Sequence, residues 1–222
     1  MSSFLRSIKV PIVEWRNTYE KYYVKIVSPE GVSQYAWLTK PDTKFDKDGH
    51  YKVNLVVPTD KASSLIKQID EEIKKSVEIA KEKNKGKAVK QANAPYEEQL
   101  DDEGKPTGNT VFKFKRKAQI ISADGKVIPF KVALFDSSGK PLIDANVWSG
   151  SEMKVSAELV HWFTAMAGAG VSLRLRAVQI TKLVEGGAGN AEGYGFDKVE
   201  GGYTATESVN NVVQEETAEA DF

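Results

Sequence analysis

The chain has 222 residues, 41% of them hydrophobic and 28% charged, which allows one large domain or two small ones. It holds no cysteine, which excludes disulfides, zinc–thiolate sites and cysteine nucleophiles, and it lacks the run of about eighteen apolar residues that a transmembrane helix needs. The balance of 31 basic and 31 acidic residues hides a division: residues 185–222 hold nine acids and one base, so residues 1–184 hold 30 bases and 22 acids, a net of +8.

A basic body tethered to an acidic end points to a polyanionic partner, or to an interaction tail. Met1 to Val10 has no apolar stretch long enough for a signal peptide, so an intracellular location is expected.

Residues 1–20 read as an N-terminal extension, with Ile8, Val10, Ile12 and Trp15 in short alternation around Pro11. Tyr22 to Val27 is strand-like, and Ser28-Pro29-Glu30-Gly31 is a turn. Ser33 to Thr39 forms a second strand that Lys40-Pro41-Asp42 is expected to stop. His50 to Val57 forms a third, with Tyr51, Val53, Leu55 and Val57 on one face.

The period then becomes helical. Leu65, Ile66, Ile69, Ile73, Val77 and Ala80 make one stripe opposite a Lys and Glu face, with Thr59 or Asp60 as the expected N-cap. Residues 84–108 read as a loop, opened by Lys83, Lys85, Lys87 and Lys90.

A strand from about Thr110 to Ile121 carries Phe112, Phe114 and Arg116 on one face and Lys113, Lys115 and Lys117 on the other. Asp124-Gly125 turns it into a partner over Val127 to Phe135, with Ile128, Phe130, Val132 and Leu134 inward. Met153, Val155, Ala157 and Leu159 alternate along the next strand, which ends in Val160-His161-Trp162-Phe163. Ala167-Gly168-Ala169-Gly170 turns the chain into a last strand over Val171 to Val184, with Arg174 and Arg176 outward. Beyond Glu185, glycine, alanine and glutamate replace the alternation, and disorder is expected. Its final residues include Glu215, Glu216, Glu219, Asp221 and a terminal Phe222, whose ring beside a free carboxylate makes a peptide-recognition element.

Signals for catalysis are weak. His50 and His161 are the only histidines, and neither has a second histidine at metal-ligand spacing. No phosphate-binding glycine loop and no nucleophile elbow occurs. A binding protein without a cofactor or metal is expected. Nucleic-acid binding needs cations and flat faces, because basic grooves hold the phosphates while rings stack on bases. The candidate rings are Tyr35, Trp37, Tyr51, Trp148, Trp162 and Phe163, with His161 beside them. In Trp162-Phe163 the two rings cannot both enter one core. The candidate cations are Lys40, Lys113, Lys115, Arg116, Lys117, Lys154, Arg174 and Arg176. Competing readings are a structural or protein-interaction barrel whose lysine face is only solvated, and an RNA-binding protein of similar chemistry.

Short strands with one helix inserted after the third suggest a small β-barrel, mainly β in class. The runs Tyr35-Ala36-Trp37-Leu38-Thr39-Lys40-Pro41-Asp42, Tyr51-Lys52-Val53-Asn54-Leu55 and Thr110-Val111-Phe112-Lys113-Phe114-Lys115, with the closing Asp221-Phe222, resemble the single-stranded DNA-binding proteins of podophage replication systems. That resemblance implies an OB-fold, a five-stranded Greek-key β-barrel with an amphipathic helix packed on it. It spans residues 21–184, with 185–222 as the acidic tail. It also implies coating of single-stranded DNA in replication, recombination and repair in the host-cell cytoplasm, away from membranes. The tail would recruit replicative DNA polymerase and helicase-primase, and its exchange between chains would give a homodimer. The family's aromatic and basic strand end reads Val160-His161-Trp162-Phe163 here, with His161 and Trp162 in place of tyrosine and lysine.

Overall fold

The computed structural model describes residues 23–143 and 145–184. Ten strands and one helix follow in order: β1 (Tyr23–Val27), β2 (Gly31–Asp42), β3 (His50–Pro58), α1 (Thr59–Lys83), β4 (Tyr96–Leu100), β5 (Pro106–Lys117), β6 (Gln119–Ile121), β7 (Val127–Pro129), β8 (Ala133–Phe135), β9 (Glu152–Thr164) and β10 (Gly168–Lys182). The fold is mainly β with one inserted helix, as the sequence implied.

Five strands close a ring. β2 pairs β3, β3 pairs β5, β5 pairs β10 in parallel, β10 pairs β9, and β9 returns to β2. Closure gives every ring strand partners on both edges, which removes the free edge of an open sheet. Strands β1, β4 and β8 pair outside the ring, onto β9, β5 and β10.

Alternation sets the interior. Tyr51, Val53, Leu55 and Val57 of β3 point inward, as do Phe112 and Phe114 of β5 and Leu173 and Leu175 of β10. Helix α1 seals this core with Leu65, Ile69 and Ile73. Val77 of the expected stripe is only half-buried, and Ala62, Glu72 and Ser76 are enclosed in addition. No helix among the described residues is long and apolar enough to cross a membrane.

Several boundaries differ from expectation. β2 continues through Pro41 to Asp42, because the missing N–H falls where the ladder with β3 is irregular, between Trp37 and Asp42. Pro58, with no side-chain cap bond, takes the N-cap in place of Thr59 or Asp60. The Thr59 hydroxyl instead bonds that of Thr110, 3.0 Å away, and ties the start of α1 to β5.

The expected loop 84–108 contains β4. Its Glu-rich sequence hides an edge strand held by β5, by the Tyr96 ring against Phe112, and by the Tyr96 hydroxyl donating to Asp70 at 2.7 Å. Burial first, then that hydrogen bond, pushes the Tyr96 hydroxyl up to about 12.

The single strand expected over Val127 to Phe135 is two. Pro129 ends the β6–β7 hairpin, Ile128 stays exposed, and β8 departs to pair with β10. Gly168-Ala169-Gly170 lies inside β10, and the turn before it spans residues 165–167.

Phe112 is fully enclosed between the ring and α1. Phe112→Ala is expected to cost about 3–5 kcal/mol, read as a lower urea midpoint of the full chain. A loss below about 1 kcal/mol would mean the core collapses around the cavity or is not built on this ring.

Candidate nucleic-acid interface

The outer surface of β2 carries a bulge. Gln34 pairs with Asn54 and Trp37 with Lys52, so three steps on β2 oppose two on β3. The extra residue is accommodated at Tyr35, a non-glycine residue at φ 50°. The left-handed region costs an ordinary side chain roughly 1–2 kcal/mol.

The bulge leaves Tyr35 67% and Trp37 43% exposed. Trp148 arrives from the segment before β9 and is 51% exposed. Its backbone is fixed: Ser33 Oγ donates to its carbonyl at 3.2 Å, and its N–H donates to the Val184 carbonyl at 3.1 Å. These three rings and Lys40 line one groove of about 340 Å³. Four of the sequence-predicted site residues thus meet in one place.

Strand register carries this groove onto a basic face. Trp37 lies opposite Lys52, Lys52 opposite Lys115, and Lys115 beside Arg174. Directly paired residues share a face, so a ring and three cations form one outward row across four strands. Lys113 and Lys117 flank Lys115 on the same side of β5.

Three carboxylates partly offset these charges. Asp42 takes Lys52, Glu97 takes Lys113 at 2.6 Å, and Glu158 takes Arg174 at 2.6 Å and Arg176 at 3.6 Å. Lys40, Lys115 and Lys117 make no ion pair with a described residue. Arg116 turns to the barrel end, stacked on Phe130 at 4.2 Å with Nη1 donating to the Leu175 carbonyl.

The positive field shows in the neighbouring pKa values. Burial, then Arg176 and Arg174, lowers the Arg116 guanidinium. Burial, then Lys115, pulls the His50 imidazole below its ordinary value against the attraction of Asp46. The hydrogen bond from Lys52, then the Lys44 N–H, holds the Asp42 carboxyl low.

Other expected site residues lie elsewhere. Tyr51 is corrected: it is 7% exposed among the core side chains and offers no face to a base. Its parity with Val53 and Leu55 sends it inward. His161 lies away from the groove: its Nε2 bonds Glu72 at 2.8 Å, clasping β9 to α1, and it lines a separate groove with Glu72, Lys75, Glu78 and Glu82.

Trp162 is half-buried and lies against Gly170, while Phe163 is exposed. Lys154 lines a separate groove with Val27 and Phe135. The tail residues Glu215, Glu216, Glu219, Asp221 and Phe222, and the extension 1–20, lie outside the described residues. Lys52 was missed by sequence reasoning, although its outward parity between Tyr51 and Val53 marks it.

Comparison with known proteins gives a consistent answer. The sequence model of a family described as single-stranded DNA-binding protein, bacteriophage T7, matches residues 30–183. A single-stranded DNA-binding protein of Enterobacteria phage T3 is 29% identical over 191 residues, covering 78% of this chain and 82% of that protein. The crystal structure of gp2.5, a single-stranded DNA-binding protein encoded by bacteriophage T7, superposes with a TM-score of 0.64 at 26% identity, over 83% of this chain and 100% of that one. The single-stranded DNA-binding protein of bacteriophage Enc34, solved in complex with ssDNA, shares the fold at a TM-score of 0.52 and 16% identity, over 75% of this chain and 89% of that one.

The Glu72 clasp has a pH signature. Burial pushes its carboxyl up, but hydrogen bonds from Lys75 and His161 outweigh burial and hold it below the ordinary 4.5. A lowered folded pKa stabilises above the ordinary range, and that contribution is lost as pH falls through the folded value. Glu72→Gln is therefore expected to lower the urea midpoint at pH 7, with the gap to wild type closing as pH drops below 4.5. A gap of constant size would rule out a role for the carboxylate charge.

Proposed function

The chain belongs to the single-stranded DNA-binding protein family of bacteriophage T7, and on that premise we propose that it coats unpaired DNA without sequence preference. Members of such a family are binding proteins, and the chain is not an enzyme. What carries the proposal is the convergence of Tyr35, Trp37, Trp148 and Lys40 on one groove joined in register to Lys52, Lys115 and Arg174.

In this reading the cations Lys40, Lys113, Lys115, Lys117, Arg174 and Arg176 displace counterions from phosphates, and the rings stack on bases. Stacking tolerates any base, because every base has a π-face. Duplex DNA binds poorly, since its paired bases present no free face. Arg116 supports the surface from the barrel end, and Trp162 and Phe163 add aromatic surface at the far end of β9.

The acidic tail, residues 185–222, forms the second part of the proposal and rests on its sequence. Its carboxylates and Phe222 compete with DNA for the basic face. DNA displaces them, and the freed Glu215, Glu216, Glu219, Asp221 and Phe222 then recruit replicative polymerase and helicase-primase. Tail exchange between two chains would give a homodimer by the same contacts. Such a protein works in replication, recombination and repair inside the host cell.

Oligo-dT is expected to quench tryptophan emission of the full chain, with affinity falling steeply as salt rises. Trp37→Ala and Trp148→Ala should each weaken binding by about 1–3 kcal/mol. Unchanged emission together with salt-independent affinity would overturn the reading. Deleting residues 201–222 should tighten single-strand binding, most at low salt; equal or weaker affinity would remove the tail from the competition.

A further inference from the structure

Five lysines fall within ten residues at the end of α1 and just past it: Lys81, Lys83, Lys85, Lys87 and Lys90, against the single acid Glu82. All five are exposed, and none makes an ion pair with a described residue. Lys81 and Lys83 sit in the last turn of α1, where cations complement the helix dipole. That helix service does not extend to Lys85, Lys87 and Lys90, which lie beyond it.

The segment holding them is fixed at both ends. On the helix side, the Gly86 N–H donates to the Lys81 carbonyl at 2.9 Å, with Lys85 and Gly86 both at positive φ. On the barrel side, the Ala169 N–H donates to the Lys90 carbonyl at 2.9 Å, and the Ala92 N–H donates to the Ala169 carbonyl at 2.8 Å. This is a short parallel bridge onto the start of β10.

The sequence Gly168-Ala169-Gly170 exists for this approach. A Cβ on Gly168, which sits at φ +92°, would lie 2.1 Å from the Lys90 carbonyl oxygen. A Cβ on Gly170 would lie 3.0 Å from both the Ala92 Cβ and the Trp162 ring. Only glycine lets the backbones come this close.

The Lys90 end of the segment is thereby clamped beside the β9–β10 turn. That turn is flanked by the exposed Phe163 and carries Met166, which is 93% exposed. A cationic strip whose end is fixed on the strand that also pairs with Phe163 brings cations and an exposed ring to the same end of the sheet, which are the parts of a single-strand contact. We propose that Lys85, Lys87 and Lys90, on the segment whose end is held at the start of β10 by the Gly168 and Gly170 approach, form a second contact site for the phosphates of single-stranded DNA, apart from the Tyr35–Trp37–Trp148 groove. The proposal rests on the single-strand reading above and lengthens the footprint it implies.

The test compares full-length wild type with the triple variant K85Q/K87Q/K90Q, titrated with oligo-dT by tryptophan quenching at several salt concentrations. Each phosphate contact on a single strand contributes about 0.7 to the slope of log affinity against log salt, so loss of three should flatten it by about 2. The quench at saturation should stay near the wild-type value. As a control, K67Q/K74Q removes exposed lysines from the body of α1 and should leave the slope unchanged. A wild-type slope in the triple variant, or an equal flattening in the control, overturns this site while leaving the groove standing. Loss of both quench and salt dependence in wild type would instead overturn the single-strand reading itself.

Discussion

Phe112 and Phe114 must lie inside the barrel, and the layout of the basic face follows from that. A strand sends successive side chains to opposite faces, so burying two phenylalanines on β5 forces Lys113, Lys115 and Lys117 outward. The antiparallel register with β3 then sets Lys52 beside Lys115, and the parallel register with β10 adds Arg174. A one-residue slip would bury the lysines and expose the rings, an error costing several kcal/mol per buried charge. Folding and charge display are thus decided by the same hydrogen-bond ladder. The ring closes that ladder on itself, so the register cannot drift at a free edge.

The charges are sorted as well as displayed. Cations occupy the outer faces of β3, β5 and β10, while Glu72, Glu78 and Glu82 gather in the groove between α1 and β9. On the basic face, Asp42, Glu97 and Glu158 temper repulsion among six neighbouring cations without cancelling it. Exposed pairs such as Lys113–Glu97 contribute little to stability and exchange readily with solvent ions. Such a face is stable enough to fold and still positive enough to attract a polyanion. The lowered His50 and Arg116 values arise in part from this residual field.

Much of this was legible in the sequence. Alternation in β3 and β5 located the core and the lysine face, and the 3.6-residue stripe located α1 after the third strand. Tyr51 was misplaced by its residue type although its own parity with Val53 sends it inward. β4 was illegible because Tyr96-Glu97-Glu98-Gln99-Leu100 has weak strand propensity and is held by distant partners, β5 and Asp70 of α1. The same holds for His161, whose partner Glu72 is 89 positions away. Local pattern reports which face a side chain takes. It does not report which distant face lies opposite.

Trp37 and Trp148 illustrate the consequence for binding. They are far apart in sequence, and their meeting depends on a bulge at Tyr35 and on hydrogen bonds from Ser33 and to Val184. The bulge places an aromatic residue in a conformation that glycine would adopt without strain, which the surrounding ladder must hold. The backbone that carries these rings is already held, so a flat partner stacking on them has less chain to order and more of the stacking energy appears as affinity. Glycine at position 35 would relieve the strain and give up a stacking face. The tyrosine at this position keeps that aromatic face exposed at the cost of the strain.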